Sequence, residues 1–185
     1  MKRVLDGLLA AFLLVLLSPL WVVLTVLVKG SSPGPVFFAQ KRVGKDGAFF
    51  QMLKFRTMKV DTPDVATHLL ENPEQYVTGV GKVLRKTSLD ELPQLWNILR
   101  GDMSFVGPRP ALYNQEDLIA LREEKGVNRL VPGLTGWAQI NGRDELAIPD
   151  KVAYDTYYLQ HQSLRLDLKI MALTFVKVIK REGIR

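Results

Sequence analysis

The chain has 185 residues and a formal net charge of +6, with 47% apolar and 24% charged residues, which fits one domain of ordinary size and excludes disordered or collagen-like composition. It has no cysteine and two histidines, His68 and His161, so a disulfide scaffold, a thiolate metal site, a cysteine nucleophile and a multi-histidine metal centre are all excluded. The positive charge favours an acidic partner.

Apolar residues are concentrated at the N-terminus. Between Val4 and Val28 the only residues that are not apolar are Asp6, Gly7, Ser18, Pro19 and Thr25. Residues 7–28 would form a helix of roughly 33 Å, long enough to cross a bilayer. A cleaved signal peptide fits less well: the apolar run continues to Lys29, and Gly30-Ser31-Ser32-Pro33 is a poor cleavage site. Ser18-Pro19 falls mid-run, where proline removes a helical hydrogen bond and bends the helix, and the serine hydroxyl is available to the freed carbonyl. Lys2 and Arg3 precede the run, and Lys29, Lys41 and Arg42 follow it. Because cations favour the cytoplasmic side, two topologies stay open on these residues: a kinked spanning helix, and a re-entrant helix with both ends on one side.

Residues 30–35, rich in Ser, Pro and Gly, end this segment. Residues 36–43 and 49–58 read as two strands around the turn Gly44-Lys45-Asp46-Gly47. Alternation puts Phe50, Met52, Lys54 and Arg56 on one face, so Lys54 and Arg56 form a basic pair, which a solvated strand face explains equally. Residues 61–75, with Pro63 and Pro73, read as a loop with at most one short helix. Gly79-Val80-Gly81-Lys82 lacks the spacing of a phosphate loop and is set aside.

Leu92, Leu95, Trp96 and Leu99 have helical spacing, which predicts a helix over 91–100 ended by Gly101. Pro93 belongs in its first turn, putting Asp90 near the N-cap of Ser88-Leu89-Asp90-Glu91-Leu92-Pro93, where the helix dipole favours a carboxylate. Adjacent carboxylates here can hold Mg²⁺ together with substrate phosphates, and one can act as a nucleophile. Plain capping, including a Ser88–Glu91 box, explains the same residues. Arg85, Lys86 and Arg100 flank the acids, and prolines stiffen the backbone around Arg109, a side chain suited to bidentate phosphate contact. Residues 115–125 form a second, charged helix. Pro132-Gly133-Leu134-Thr135-Gly136-Trp137 and Asn141-Gly142-Arg143 are turn-rich and suited to carrying a site. Residues 163–180 are apolar at most positions but carry Arg165, Lys169, Lys177 and Lys180, a pattern that suits a helix in a membrane interface; a terminal helix packed on the domain core explains the same residues. No zinc pattern, RNA-binding aromatic motif or dense basic run points to nucleic acid.

Four stretches then stand in order: Lys54-Phe55-Arg56-Thr57-Met58, Ser88-Leu89-Asp90-Glu91-Leu92-Pro93-Gln94, Gly101-Asp102-Met103-Ser104-Phe105-Val106-Gly107-Pro108-Arg109-Pro110 and Pro132-Gly133-Leu134-Thr135-Gly136-Trp137. Together they resemble the bacterial sugar transferases, the monotopic phosphoglycosyl transferases, over nearly the whole chain. With Met1 beginning at the membrane helix, the sequence is similar to the minimal members, such as the diacetylbacillosamine-1-phosphate transferases. The resemblance implies transfer of a sugar 1-phosphate, with an N-acetylated sugar expected, from a UDP-sugar to undecaprenyl phosphate. UMP would be released, at the cytoplasmic face of the bacterial inner membrane, in the first membrane step of exopolysaccharide or other glycoconjugate assembly.

By the same resemblance, Asp90 is the nucleophile that becomes a phosphosugar ester. Mg²⁺ is held by Asp90 and Glu91, and Glu91 assists through metal or proton. Arg85 and Arg109 contact phosphate, and Lys54, Arg56 and Arg143 are further basic candidates. Ser18-Pro19 is the break of a re-entrant helix, which favours that topology. Membrane lipid and downstream glycosyltransferases are the further partners implied. The expected fold is α+β: a re-entrant membrane helix over residues 1–30, and a cytoplasmic catalytic domain over 31–185 with a short β-hairpin and amphipathic interfacial helices.

Two other classes compete. A membrane-anchored scaffold would not need the intact acidic pair. A glycosyltransferase moving the sugar without its phosphate would carry an Asp-x-Asp motif, which is absent.

Overall fold

A computed structural model describes residues 1–62, 72–142 and 146–180. The apolar N-terminus forms helix α1 (Lys2–Leu16) and helix α2 (Ser18–Ser31), which meet at a bend of 66°. Pro19 lies in the first turn of α2, where its missing N–H would have no helical partner anyway. The bend therefore starts a new helix and leaves no mid-helix defect to repair. The Ser18 hydroxyl makes no hydrogen bond among the described residues, so the role expected for it at a freed carbonyl is corrected. No single described helix is long and apolar enough to cross a membrane; by length and composition the bent pair is.

The start of α1 is fastened to the rest of the chain. Lys2 Nζ donates to Asp167 at 2.7 Å, and Asp6 accepts from Ser104 Oγ at 2.7 Å. Arg3 donates to the carbonyls of Ile98 and Leu99 at 2.8 and 2.7 Å, near a helix end where backbone carbonyls lack the usual partner four residues on.

Strands β1 (Phe37–Val43) and β2 (Phe49–Phe55) form the expected antiparallel hairpin, with Val43 opposite Phe49. Asp46 and Gly47 turn the chain with φ of 52° and 76°, a left-handed conformation that glycine adopts without strain. Trp21 of α2 packs on Phe37 and Phe55 at centroid distances of 6.0 and 5.4 Å. Leu24, Val28 and Phe55 then share a buried cluster with Leu84 of helix α3 (Gly79–Thr87).

Residues predicted as helix from 91 instead give a single 3-10 turn (Leu89–Glu91) followed by α4 (Gln94–Arg100), which Gly101 ends at φ 99°. Strand β3 (Ser104–Val106), helix α5 (Glu116–Glu124), strand β4 (Gly133–Thr135) and the short helix α6 (Trp137–Ile140) follow. Then come α7 (Ile148–His161) and α8 (Leu164–Lys180). β3 and β4 pair in parallel, joining the sequence stretches 101–110 and 132–137. The largest buried cluster gathers Ala10 of α1, Met52 of β2, Ile98 of α4, Tyr158 of α7 and Ile170 of α8. α3, α7 and the parallel pair were not expected from the sequence.

Candidate active site

The candidate site lies where β2, the 3-10 turn and the turn after β3 converge. Ser88 takes a left-handed conformation, φ 56°, between α3 and the 3-10 turn. That sharp reversal turns Asp90 into a buried position. Asp90 is thus not an N-cap of α4, as expected, because the α-helix begins at Gln94 with Pro93 before it. No Ser88 capping hydrogen bond forms either.

Among the described residues, Lys54, Arg85 and Arg109 stand around the acids. Lys54 Nζ lies 2.9 Å from Glu91 Oε1 and 3.9 Å from Asp90 Oδ2, bridging the two carboxylates. Arg109 Nη2 approaches Glu91 Oε1 at 3.4 Å. Arg85 faces Asp90, and its Nε donates to Thr57 Oγ1 at 2.9 Å. Burial pushes the Asp90 carboxyl above its ordinary range; Lys54 pulls it back, Glu91 adds to the rise, and Arg85 opposes it. Burial likewise lowers the pKa of Arg85, against the pull of Asp90. The result is a desolvated carboxylate beside cations that do not fully compensate it.

Arg109 is aimed by its backbone. Gly107 N donates to Thr135 O and Gly133 N to Pro108 O, both at 2.9 Å, locking the Pro-Arg-Pro turn against β4. A Cβ on Gly133 would collide with the Gly107 backbone, so the two loops cross at a glycine-only spacing. Arg122 Nη1 donates to the Arg109 carbonyl at 2.9 Å, while its Nε and Nη2 grip Asp155 Oδ2 at 3.0 and 2.6 Å.

Among the candidates named from the sequence, the structure brings together Lys54, Arg85, Asp90, Glu91 and Arg109. Arg56 is a correction: it is buried, and it donates to the carbonyls of Ser32 and Pro33 at 2.7 and 2.8 Å. There it fastens the end of α2 and makes no basic pair with Lys54 at the acids. The β2 strand ends at Phe55, so the alternation used to pair them does not extend to it. Arg143 lies outside the described residues. Arg122, Asp155 and the hydroxyl of Thr57 were missed. Arg122 shares its buried helix face with Leu118, four residues earlier, and a charge on an apolar stripe was the available signal.

The chain matches the family model described as bacterial sugar transferase over residues 1–181. The exopolysaccharide production protein ExoY of Rhizobium meliloti (strain 1021) is 43% identical over 199 residues, spanning 98% of this chain and 87% of that protein. An uncharacterized sugar transferase, EpsL of Bacillus subtilis (strain 168), is 44% identical over 187 residues, spanning 100% of this chain and 90% of that protein. The UDP-glucose:undecaprenyl-phosphate glucose-1-phosphate transferase of Escherichia coli (strain K12) is 46% identical over 185 residues, spanning 96% of this chain and 40% of that protein. The chain belongs to the bacterial sugar transferase family.

Proposed function

We propose that this protein transfers a sugar 1-phosphate from a UDP-sugar to undecaprenyl phosphate, releasing UMP, through a covalent phosphosugar ester on Asp90. One observation carries the reading: in a chain of this family, a buried carboxylate with a raised pKa faces Lys54 and Arg85 and adjoins Glu91. An anion held this way is under-solvated and suited to attack, while the cations receive phosphate charge.

In the first step an Asp90 carboxylate oxygen bonds to the β-phosphorus of the donor. The bond from that phosphorus to the bridging oxygen breaks, and UMP departs with the electron pair. In the second, a phosphate oxygen of the lipid bonds to the same phosphorus and Asp90 leaves as carboxylate. Arg109 and Arg85 orient the phosphates, and Lys54 holds Glu91 beside the nucleophile.

Mg²⁺ belongs to the same proposal. Lys54 already bridges both carboxylates at 2.9 and 3.9 Å, so the pair accepts a cation. Two carboxylates completed by substrate phosphates are a donor set that Mg²⁺ uses. Asp90 and Glu91 would hold it, and it would supply charge neutralisation of the diphosphate.

Membrane association is supported by the exposed apolar residues of α1 and α2, among them Leu8, Phe12, Val15, Val22 and Val26; re-entry, supported by the 66° bend between them, and a cytoplasmic domain belong to the same proposal. The lipid substrate in relatives' names supports the same reading. The expected donor carries an N-acetylated sugar, whereas the E. coli relative is named for UDP-glucose.

The test is single turnover without lipid. Enzyme, Mg²⁺ and each of UDP-glucose, UDP-N-acetylglucosamine and UDP-diacetylbacillosamine are mixed, and UMP and protein mass are followed. About one equivalent of UMP and a phosphosugar adduct are expected with the true donor. Release of UDP, or UMP formed only when lipid is also present, would replace this mechanism.

A further inference from the structure

The Thr57 hydroxyl sits between the end of β2 and the face of α3 that carries Arg85. Thr57 is buried and touches α3 at two places. Its carbonyl accepts from Thr78 N at 3.0 Å, at the start of the helix, and Thr78 itself caps the helix through Gly81 N at 2.9 Å. Its hydroxyl accepts from Arg85 Nε at 2.9 Å, two turns further on. Gly81 lies between, one turn before Arg85 on the same helical face. A Cβ on Gly81 would collide with the Thr57 carbonyl. Only glycine lets α3 lie this close, and closeness is what brings the Arg85 side chain within reach of the hydroxyl.

The bond also decides which part of the guanidinium is used. Arg85 spends Nε on Thr57, and both Nη groups have no hydrogen-bond partner among the described residues. Those groups form the outer fork with which arginine grips phosphate. A guanidinium released from Thr57 is free to swing onto the neighbouring Asp90, which would cover the nucleophile and remove the fork together.

We infer that Thr57 is a positioning residue for the donor: its hydroxyl fixes the Arg85 guanidinium with Nε turned away and the Nη fork presented to the diphosphate, at a spacing set by Gly81. The inference rests on the function proposed above and adds a residue to its binding machinery.

The test reads equilibrium binding of UDP, which offers the diphosphate but no sugar to transfer, to the full chain in detergent. Thr57→Val removes the hydroxyl at nearly constant volume and should weaken UDP about tenfold, the scale of one hydrogen bond to a charged group. Thr57→Ser should restore binding to within about threefold, because serine keeps the acceptor and gives up only the methyl. Arg85→Ala should weaken UDP at least as much as Thr57→Val. The double variant should be no weaker than Arg85→Ala, since the hydroxyl acts only through that side chain. Wild-type affinity in Thr57→Val, failure of Thr57→Ser to rescue, or a double variant showing the product of the two losses would overturn the inference. UMP release by the wild type is measured separately. An active wild type with an indifferent Thr57→Val overturns this inference alone, and an inactive wild type overturns both.

Discussion

Two buried carboxylates on this chain meet arginine or lysine in different ways. Asp155 has a side chain 1% exposed and takes two bonds from Arg122, itself 5% exposed, at 2.6 and 3.0 Å. Asp90 has a side chain 11% exposed, and among the described residues its nearest cation, Lys54, stops at 3.9 Å. Burial raises the pKa of both, and at Asp155 the coulombic pull and hydrogen bonds of Arg122 oppose it. Asp155 is a finished contact: its partner is matched in geometry and its third arm steadies the Arg109 backbone. Asp90 is an unfinished one, held near positive charge but not neutralised by it, which suits the nucleophile role proposed above. One fold thus contains a tightly paired and a loosely paired buried carboxylate, separated by about an ångström of ion-pair distance.

The widest separation is expected from amide replacement. Asp90→Asn should lower UMP release at least about a thousandfold, the scale for losing a covalent nucleophile. It should leave the urea midpoint unchanged or raised, because a poorly compensated buried charge is gone. Asp155→Asn should do the reverse, costing about 3–5 kcal/mol of stability because the Arg122 charge stays buried without its partner. Urea unfolding in detergent beside single-turnover assays checks both. Equal stability losses would erase the distinction.

A smaller effect is expected at the arginine that Arg122 steadies. Arg109→Lys keeps the charge but not the planar fork, and should cost about 1–3 kcal/mol in kcat/KM. A lysine variant with wild-type kcat/KM would move Arg109 out of the site.

The finest test uses pH. In the proposed mechanism Asp90 is ionised when it attacks, and its pKa lies above the ordinary value, so UMP release should fall on acidification at a pH higher than an exposed aspartate would give. Lys54 is the largest influence holding that pKa down, so Lys54→Met should move the acid limb further up. Stability runs the opposite way. The folded chain binds this proton more tightly than the unfolded one, so the contribution of Asp90 declines as pH rises from the ordinary carboxylate value through the folded value. An acid limb unmoved in Lys54→Met would show that another group controls it.

Much of this was legible before the fold was seen. The bend at Ser18-Pro19, the hairpin, the helices close to 94–100, 116–124 and 164–180, and the acidic pair all follow from apolar spacing and breaker residues. What escaped has physical causes. α3 opens with Gly79 and Gly81, and glycine reads as a break when judged locally; here Gly81 is a packing surface for Thr57. α7 buries Val152, Asp155 and Tyr158 on one face, and an aspartate in that stripe hides the apolar period. β3 and β4 are short and far apart in sequence, so their pairing leaves no local signal. The hairpin alternation also failed beyond Phe55, where Arg56 leaves for the carbonyls after α2. The acids were recognisable by type, but the left-handed turn at Ser88 that buries Asp90 is a tertiary outcome.

The fastening of the bent helix pair has a mechanical consequence. At one end Lys2 and Arg3 grip Asp167 and the last carbonyls of α4; at the other Arg56 grips the carbonyls of Ser32 and Pro33. An anchor joined by a single tether lets its cargo tilt and bob, but a wedge pinned at both feet does not. With arms of about 22 and 21 Å at 1.5 Å per residue, the pair acts as a gauge block in the proposed re-entrant arrangement. In that proposed arrangement its depth in the leaflet would set the height of Asp90 above the lipid phosphates, so a membrane of different thickness or curvature would be felt at Asp90 as a change in level.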